Sequence, residues 1–237
     1  MKRRDLMVGG GLVAVAAGWQ VFGVQTQGLS FRPINAASGW RFAALGGVSG
    51  ATGVDFITVG LQEGPTPLPS AQLDGVVQRD AINGAVPVAV FSDFFCPYCR
   101  GLIGRLAARQ ADQPIAITWH ELPLLGPQSV LVARAAEAAA LQDGYAAFYA
   151  QILKDGFRPI PAWMGQVAQA ADLDGAKLVQ DMDGPEVRAR LLESARAAKT
   201  LGFLGTPGLA VGRSAILGAL RANEMEDLIT EVAKTTA

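Results

Sequence analysis

The sequence predicts an α/β fold, a mixed sheet carrying an all-helical insertion, and three observations lead to it. Residues 86–91 and 115–119 are short apolar, β-branched runs, and the stretch between them, from Pro97 to about Arg109, is helical in pattern. Residues 129–200 are Ala-rich with helical periodicity, broken at Asp143-Gly144, Asp155-Gly156, Asp174-Gly175 and Asp183-Gly184-Pro185, which gives four to five helices. Residues 209–211 and 215–217 flank Gly212-Arg213 as a hairpin would, and residues 223–234 close the chain as a helix. Strand, helix, strand, several helices, hairpin, helix is the order of a mixed sheet interrupted by one helical block.

Taken from the N-terminus, Lys2-Arg3-Arg4 precedes a charge-free apolar stretch over residues 6–24, the form of an export signal or a single membrane span. No good small-x-small cleavage site follows Val24, which favours a retained anchor with the basic end in the cytoplasm and the domain outside. Arg3-Arg4 also resembles a twin-arginine export signal. Residues 25–75 form a lead-in rich in Gly, Ser, Pro and Ala, ending in Gly64-Pro65-Thr66-Pro67-Leu68-Pro69 and a short helix over 70–80 with Ser70 as its N-cap. Phe31, Trp40, Phe42, Phe56 and Ile57 are too many large apolar groups for a solvated linker, so part of the lead-in is expected to pack as strands or turns on the domain or the bilayer. The catalytic domain is then residues 76–237, with its helical insertion at about 127–200.

Of the 237 residues half are apolar and 17% charged, enough for a full core, and a net charge of −1 offers no basic surface for nucleic acid. Two cysteines and one histidine cannot assemble a structural zinc site of four Cys and His ligands. No metal or organic cofactor is implied, and cysteine chemistry here is that of one pair.

That pair is Cys96-Pro97-Tyr98-Cys99, where a predicted strand gives way to a helix. A thiol before the first helical turn meets unpaired N–H groups and the positive end of the helix dipole, which favour the thiolate. Pro97 suits the first turn, where its missing N–H loses nothing. Cys99 falls one turn on, on the same face, so a disulfide to Cys96 can open and close with little backbone movement. One sulfur attacks and the other resolves; a static structural disulfide is the plainer alternative.

Phe91-Ser92-Asp93-Phe94-Phe95-Cys96-Pro97-Tyr98-Cys99 resembles the active-site segment of the DsbA-like branch of the thioredoxin superfamily. The residues from Glu121 to Ser129 (Glu-Leu-Pro-Leu-Leu-Gly-Pro-Gln-Ser) resemble the segment after that family's next strand, and Leu201-Gly202-Phe203-Leu204-Gly205-Thr206-Pro207-Gly208 resembles its cis-proline loop. The likeness covers about residues 76–235. It implies a thioredoxin-like mixed sheet with an all-helical insertion, Cys96 as nucleophile, Cys99 as resolving thiol, and a cis Thr206-Pro207 peptide facing them to position the substrate chain. It further implies exported, cysteine-containing client proteins, a membrane partner that resets the redox state (a quinone-linked oxidase or a reductase), and a periplasmic or other extracytoplasmic setting.

The sequence also departs from that family. Val90 stands where many members carry a buried acid six residues before the first cysteine; Asp93 and Glu121 are the candidates to replace it, or are ordinary polar residues at strand ends. Tyr98 occupies a position often held by histidine, whose loss should raise the Cys96 pKa and make the pair a milder oxidant. His120 is expected to be a partly exposed histidine without function, Arg100 either helps the thiolate or faces water, and Trp119 with Tyr145, Phe148, Tyr149 and Ile152 reads as core. Net oxidation of clients is expected. The alternatives are an isomerase or reductase on the same fold and a non-redox holdase or assembly module with a passive disulfide; glutathione-dependent isomerases of small aromatic acids usually lack the counterpart of Cys99.

Overall fold

A computed structural model describes residues 29–49, 65–112, 114–155, 158 and 160–236; the expected signal or anchor, residues 1–24, lies outside them. The sheet is built on β3 (Val86–Ser92), whose side chains are nearly all buried because both of its edges and both of its faces are covered. Val88 and Val90 point into one core with Leu102, Leu106 and Ile117, while Ala89 and Phe91 point into a second with Leu73, Val77 and Leu201. This is the two-residue alternation of a strand between two layers.

Six strands run in the order β1-β2-β6-β5-β3-β4. β3 is parallel to β4 (Ile115–Glu121) and antiparallel to β5 (Gly208–Val211), which is antiparallel to β6 (Ser214–Leu217). The remaining two strands come from the segment expected to be a lead-in. β2 (Arg41–Ala44) pairs in parallel with β6, and the two-residue β1 (Arg32–Pro33) lies against β2. Trp40 and Phe42 are buried there, so these two of the apolar groups noted in that segment do pack, while Phe56 and Ile57 lie outside the described residues. Arg41 secures it by donating to the Ser214 hydroxyl at 2.7 Å and to Glu231 at 2.7 Å.

α1 (Ser70–Val77) precedes β3, and α2 (Pro97–Asp112) joins β3 to β4. Ser70 is not the N-cap expected of it. Pro69 holds that position without a side-chain bond, and the Ser70 hydroxyl instead accepts the Ser38 N–H at 3.1 Å. The insertion is five helices, α3 (Pro127–Ala140), α4 (Tyr145–Asp155), α5 (Pro161–Ala170), α6 (Gly175–Asp181) and α7 (Pro185–Leu201). Its Asp-Gly pairs fall at the boundaries: Asp143 takes φ 57° between α3 and α4, and Asp174 caps α6 by accepting the Lys177 N–H at 2.9 Å. α3, α5 and α7 each start with proline, and α7 stops at left-handed Gly202. Phe148, Tyr149 and Ile152 are fully buried, whereas Trp119, at the edge of β4, is half-buried and stacks on Tyr145 with centroids 5.0 Å apart. α8 (Ala222–Thr236) covers the sheet with Met225, Leu228 and Ile229.

Two glycines should respond to alanine in opposite senses. A methyl on Gly175 would overlap the Gly165 carbonyl oxygen, where α5 and α6 touch backbone to backbone, whereas Gly104, inside α2, has nothing within 4 Å. Gly175→Ala should therefore lower the unfolding free energy by about 1–3 kcal/mol, and Gly104→Ala should raise it by about 0.5–1 kcal/mol. Urea denaturation of both variants checks the pair of signs.

Candidate active site

After Ser92 the chain turns through Asp93-Phe94-Phe95 into α2, and the turn is held by one carboxylate. Asp93 Oδ1 accepts the Phe95 N–H at 2.8 Å and the Ser129 hydroxyl at 2.9 Å, and Oδ2 accepts the N–H groups of Leu124 at 2.8 Å and Leu125 at 3.0 Å. The Asp93 backbone carbonyl accepts the Cys96 N–H at 3.0 Å. Cys96 is thereby placed immediately before the first turn of α2, where amide N–H groups have no helical acceptor and favour negative charge. The Cys99 N–H bonds to the Cys96 carbonyl at 3.2 Å, one turn further on.

Thr206-Pro207 is a cis peptide, and the Thr206 carbonyl accepts the Cys96 thiol at 3.5 Å. The structure thus brings together the four residues singled out in the sequence: Cys96, Cys99, Thr206 and Pro207. The buried Thr206 hydroxyl makes no bond to an oxygen or nitrogen and is free to turn its proton to the Cys96 sulfur. Ser49, which nothing in the sequence marked, also directs its hydroxyl at that sulfur.

These contacts divide the two thiols. Cys96 is lowered to about 5, first by the hydrogen bond from the Cys99 thiol and then, against the effect of burial, by the Thr206 and Ser49 side chains. Cys99 is pushed far above the usual thiol range, first by burial and then by its bond to Cys96 and the charge there. Around neutral pH the reduced pair holds its charge on Cys96 and its proton on Cys99. Both cysteines are 0% exposed, so it is their hydrogen bonds and not their exposure that set them apart.

Val90, at the site of the missing acid, is buried opposite Trp119 on one side and Leu209 on the other. Of the two candidates to replace that acid, Asp93 is fully engaged in holding the turn, and burial raises its pKa in spite of its four bonds. Glu121 is buried at the end of β4, accepts a hydrogen bond from the Tyr145 hydroxyl at 2.5 Å, and is pushed up to about 8, chiefly by burial and further by the charges of Glu137 and Asp93. Sequence reasoning missed Tyr145 as its partner and Ser129 as a partner of Asp93, because each stands far along the chain from the carboxylate it meets.

His120 is fully buried, contrary to the partial exposure expected of it. It stacks on Phe91 with centroids 4.4 Å apart, and its ring nitrogens lie 3.0 Å from the Ser194 hydroxyl and 3.4 Å from the Val77 carbonyl. Burial lowers it to about 3, so it is a neutral core group. Arg100 is exposed and bonds the Phe94 carbonyl at 3.2 Å with its guanidinium over the Phe94 ring.

A family model described as a DSBA-like thioredoxin domain matches residues 87–230. A thioredoxin-like oxidoreductase from Silicibacter pomeroyi is similar in structure with a TM-score of 0.60 and 29% identity, over 68% of this chain and 97% of that one. The thiol-disulfide exchange protein α-DsbA2 of Wolbachia pipientis (TM-score 0.58, 18% identity, 75% of this chain and 91% of that one) and the catalytic domain of Proteus mirabilis ScsC (0.58, 18%, 69% and 96%) share the fold. Among curated proteins, the Na(+)/H(+) antiporter NhaA 3 of Salinispora tropica is 28% identical over 136 residues, 54% of this chain and 21% of the antiporter's length. That likeness is to about a fifth of the antiporter.

Two titrations read the electrostatics of the site. The folded value of Cys96 lies below its ordinary value of 9.0, so the stability that the thiolate lends the reduced protein is complete above about pH 9 and is lost as pH falls to about 5. Ultraviolet thiolate absorbance of the reduced protein should show a midpoint near 5 that rises in Cys99→Ala, which lacks the largest contributing bond. With one proton taken up per two electrons, the reduction potential should fall by about 30 mV per pH unit above that midpoint and about twice as steeply below it.

Glu121 has the opposite sign. Its raised value means stability that is present below about pH 4.5 and lost as pH rises through about 8. In the oxidised protein, where Cys96 has no proton to lose, Glu121→Gln should flatten the fall in unfolding free energy across that window, as urea denaturation at a series of pH values would record. Superimposable profiles would mean that the carboxyl titrates as if exposed.

Proposed function

The chain belongs to the DSBA-like thioredoxin domain family of thiol-disulfide oxidoreductases, and from that premise we propose that it exchanges disulfides with exported proteins, with net oxidation of the client. The observation that carries the reading is the Cys96 sulfur, set before the first turn of α2, bonded by Cys99 and facing the Thr206 carbonyl. In the oxidising direction a client thiolate attacks the Cys96 sulfur, the Cys96–Cys99 bond breaks, and Cys99 leaves with the electron pair and takes up a proton. A second client thiol, deprotonated, attacks the client sulfur of the mixed disulfide, and Cys96 leaves as a thiolate. The client has lost two electrons and the dithiol has gained them. In reverse, Cys99 attacks Cys96 and frees the client.

Direction follows from the stability of the thiolate. A reduced form whose Cys96 thiolate is stabilised, its pKa lowered from 9.0 to about 5, makes its disulfide the better oxidant. Tyr98, 45% exposed beside Cys99, carries no positive charge near neutral pH and so adds nothing to that stabilisation, which keeps the oxidant mild. Thr206 and Pro207 position the client backbone, and Tyr98 and Leu204, close in sequence to Cys99 and Thr206, are exposed and offer apolar surface. Net oxidation leaves the dithiol reduced, so the membrane partner that restores the disulfide is an oxidase that removes two electrons, such as a quinone-linked one.

The setting is extracytoplasmic, with residues 6–24 as tether. The basic start and uncharged apolar run support this reading. Among the described residues no helix is long and apolar enough to cross a membrane, and the proposed tether lies outside them.

Trapping tests the roles: Cys99→Ala should accumulate mixed disulfides with exported proteins, and Cys96→Ala should not. Equal trapping by both would reverse the assignment, and a pair that resists mild reductant would be a passive staple. Tyr98→His should lower the Cys96 pKa and raise the potential measured against a glutathione buffer. A wild-type potential as low as about −270 mV would make the protein a reductase.

A further inference from the structure

The approach to Cys96 is already occupied by the protein's own chain. From the end of β2, the Leu45 N–H bonds the Leu217 carbonyl at 2.7 Å and the Gly46 carbonyl accepts the Ala219 N–H at 3.1 Å. Gly47, left-handed at φ +75°, lies against the Tyr98 ring. Ser49 then exchanges both backbone hydrogen bonds with Thr206, each 2.7 Å, as an isolated antiparallel bridge. A methyl on Gly205 would overlap the Val48 side chain and stand 2.7 Å from the Ser49 carbonyl oxygen, so the absence of a side chain at 205 lets the segment close down. The nucleophile beneath is 0% exposed.

Thr206 has one backbone N–H and one carbonyl to offer an incoming strand, and Ser49 holds both. Paired bonds of this kind are how an extended peptide adds itself to a strand edge. We propose that residues 45–49 are a built-in occupant of the client-docking edge, a strap that an extended client segment replaces at Ser49 before its sulfur reaches Cys96. The proposal rests on the reading of Thr206 as a docking residue. It selects clients: an unfolded segment around a cysteine supplies the two backbone bonds that the strap gives up, whereas a cysteine fixed in a helix cannot. The reactivity of Cys96 then scales with the fraction of molecules in which the strap is open.

Alkylation of the reduced full chain by iodoacetamide at a pH well above the Cys96 midpoint, mapped by mass spectrometry, measures that fraction without any client. Ser49→Ala removes the hydroxyl and keeps the bridge; Ser49→Pro removes the hydroxyl and the N–H that the bridge needs. Ser49→Pro should react about tenfold faster than Ser49→Ala, equivalent to about 1.4 kcal/mol and the size of one backbone hydrogen bond. Equal rates overturn the strap.

A second measurement needs no variant at Ser49. Cys99→Ala is trapped as a mixed disulfide with a short single-cysteine peptide, and amide hydrogen exchange is compared with the free protein. Replacement predicts that the Ser49 N–H loses protection while the Thr206 N–H keeps it; protection retained at Ser49 overturns the proposal. Failure of Cys96 to form a mixed disulfide with the peptide when alkylation is fast would overturn the redox reading itself, and the strap as a client gate with it.

Discussion

Asp93 receives four hydrogen bonds, one from the turn before α2 and three from the stretch that runs from the loop after β4 into the first turn of α3. A carboxylate buried at 0% exposure is costly unless its oxygens are bonded, and here both are bonded twice. That requirement ties the cysteine turn to the root of the helical insertion. It also aims the Asp93 carbonyl at the Cys96 N–H, which sets where α2 begins and therefore where the first sulfur meets the helix dipole.

The two sulfurs depend on that placement in opposite ways. Cys96 has donors on several sides, from Cys99, Thr206 and Ser49, and holds charge at a depth where an unassisted thiolate would be neutralised. Cys99, one turn deeper, is pushed up by burial and by the charge of its neighbour, and so carries the shared proton. The acids behind them are similarly arranged: Glu121 and Glu137 are buried, and burial raises both, with Tyr145 bonded to the first and Arg79 and Arg190 near the second. Burial disfavours the charged form of both carboxyls, so each keeps its proton to a higher pH than a surface carboxyl does.

The segment before α1 is what gives the site its lid. β2 enlarges the sheet beside β6, and its direction carries residues 45–49 over the turn after β6 to the cis-proline loop. Gly47 lets the chain cross the Tyr98 ring, and Gly205 lets it settle on the loop. Sheet extension and coverage of Cys96 are therefore one structural event.

The order of elements from β3 onward was legible in the sequence, since β-branched runs, Asp-Gly breaks and helix-starting prolines act over a few residues. So was the redox pair, because Cys96 and Cys99 are the two cysteines of the chain and lie one helical turn apart. The cis-proline loop was legible through its resemblance to a known segment. Contacts between residues far apart in the chain arise from how the layers pack and leave no local signal. Ser49 meets Cys96 and Thr206 across more than a hundred residues of intervening chain in the second case, Tyr145 finds Glu121 through the packing of α4 on β4, and His120 is buried because Phe91 and Ser194 converge on it. Local pattern specifies what a residue prefers; which partner satisfies a buried polar group depends on how the layers close over it.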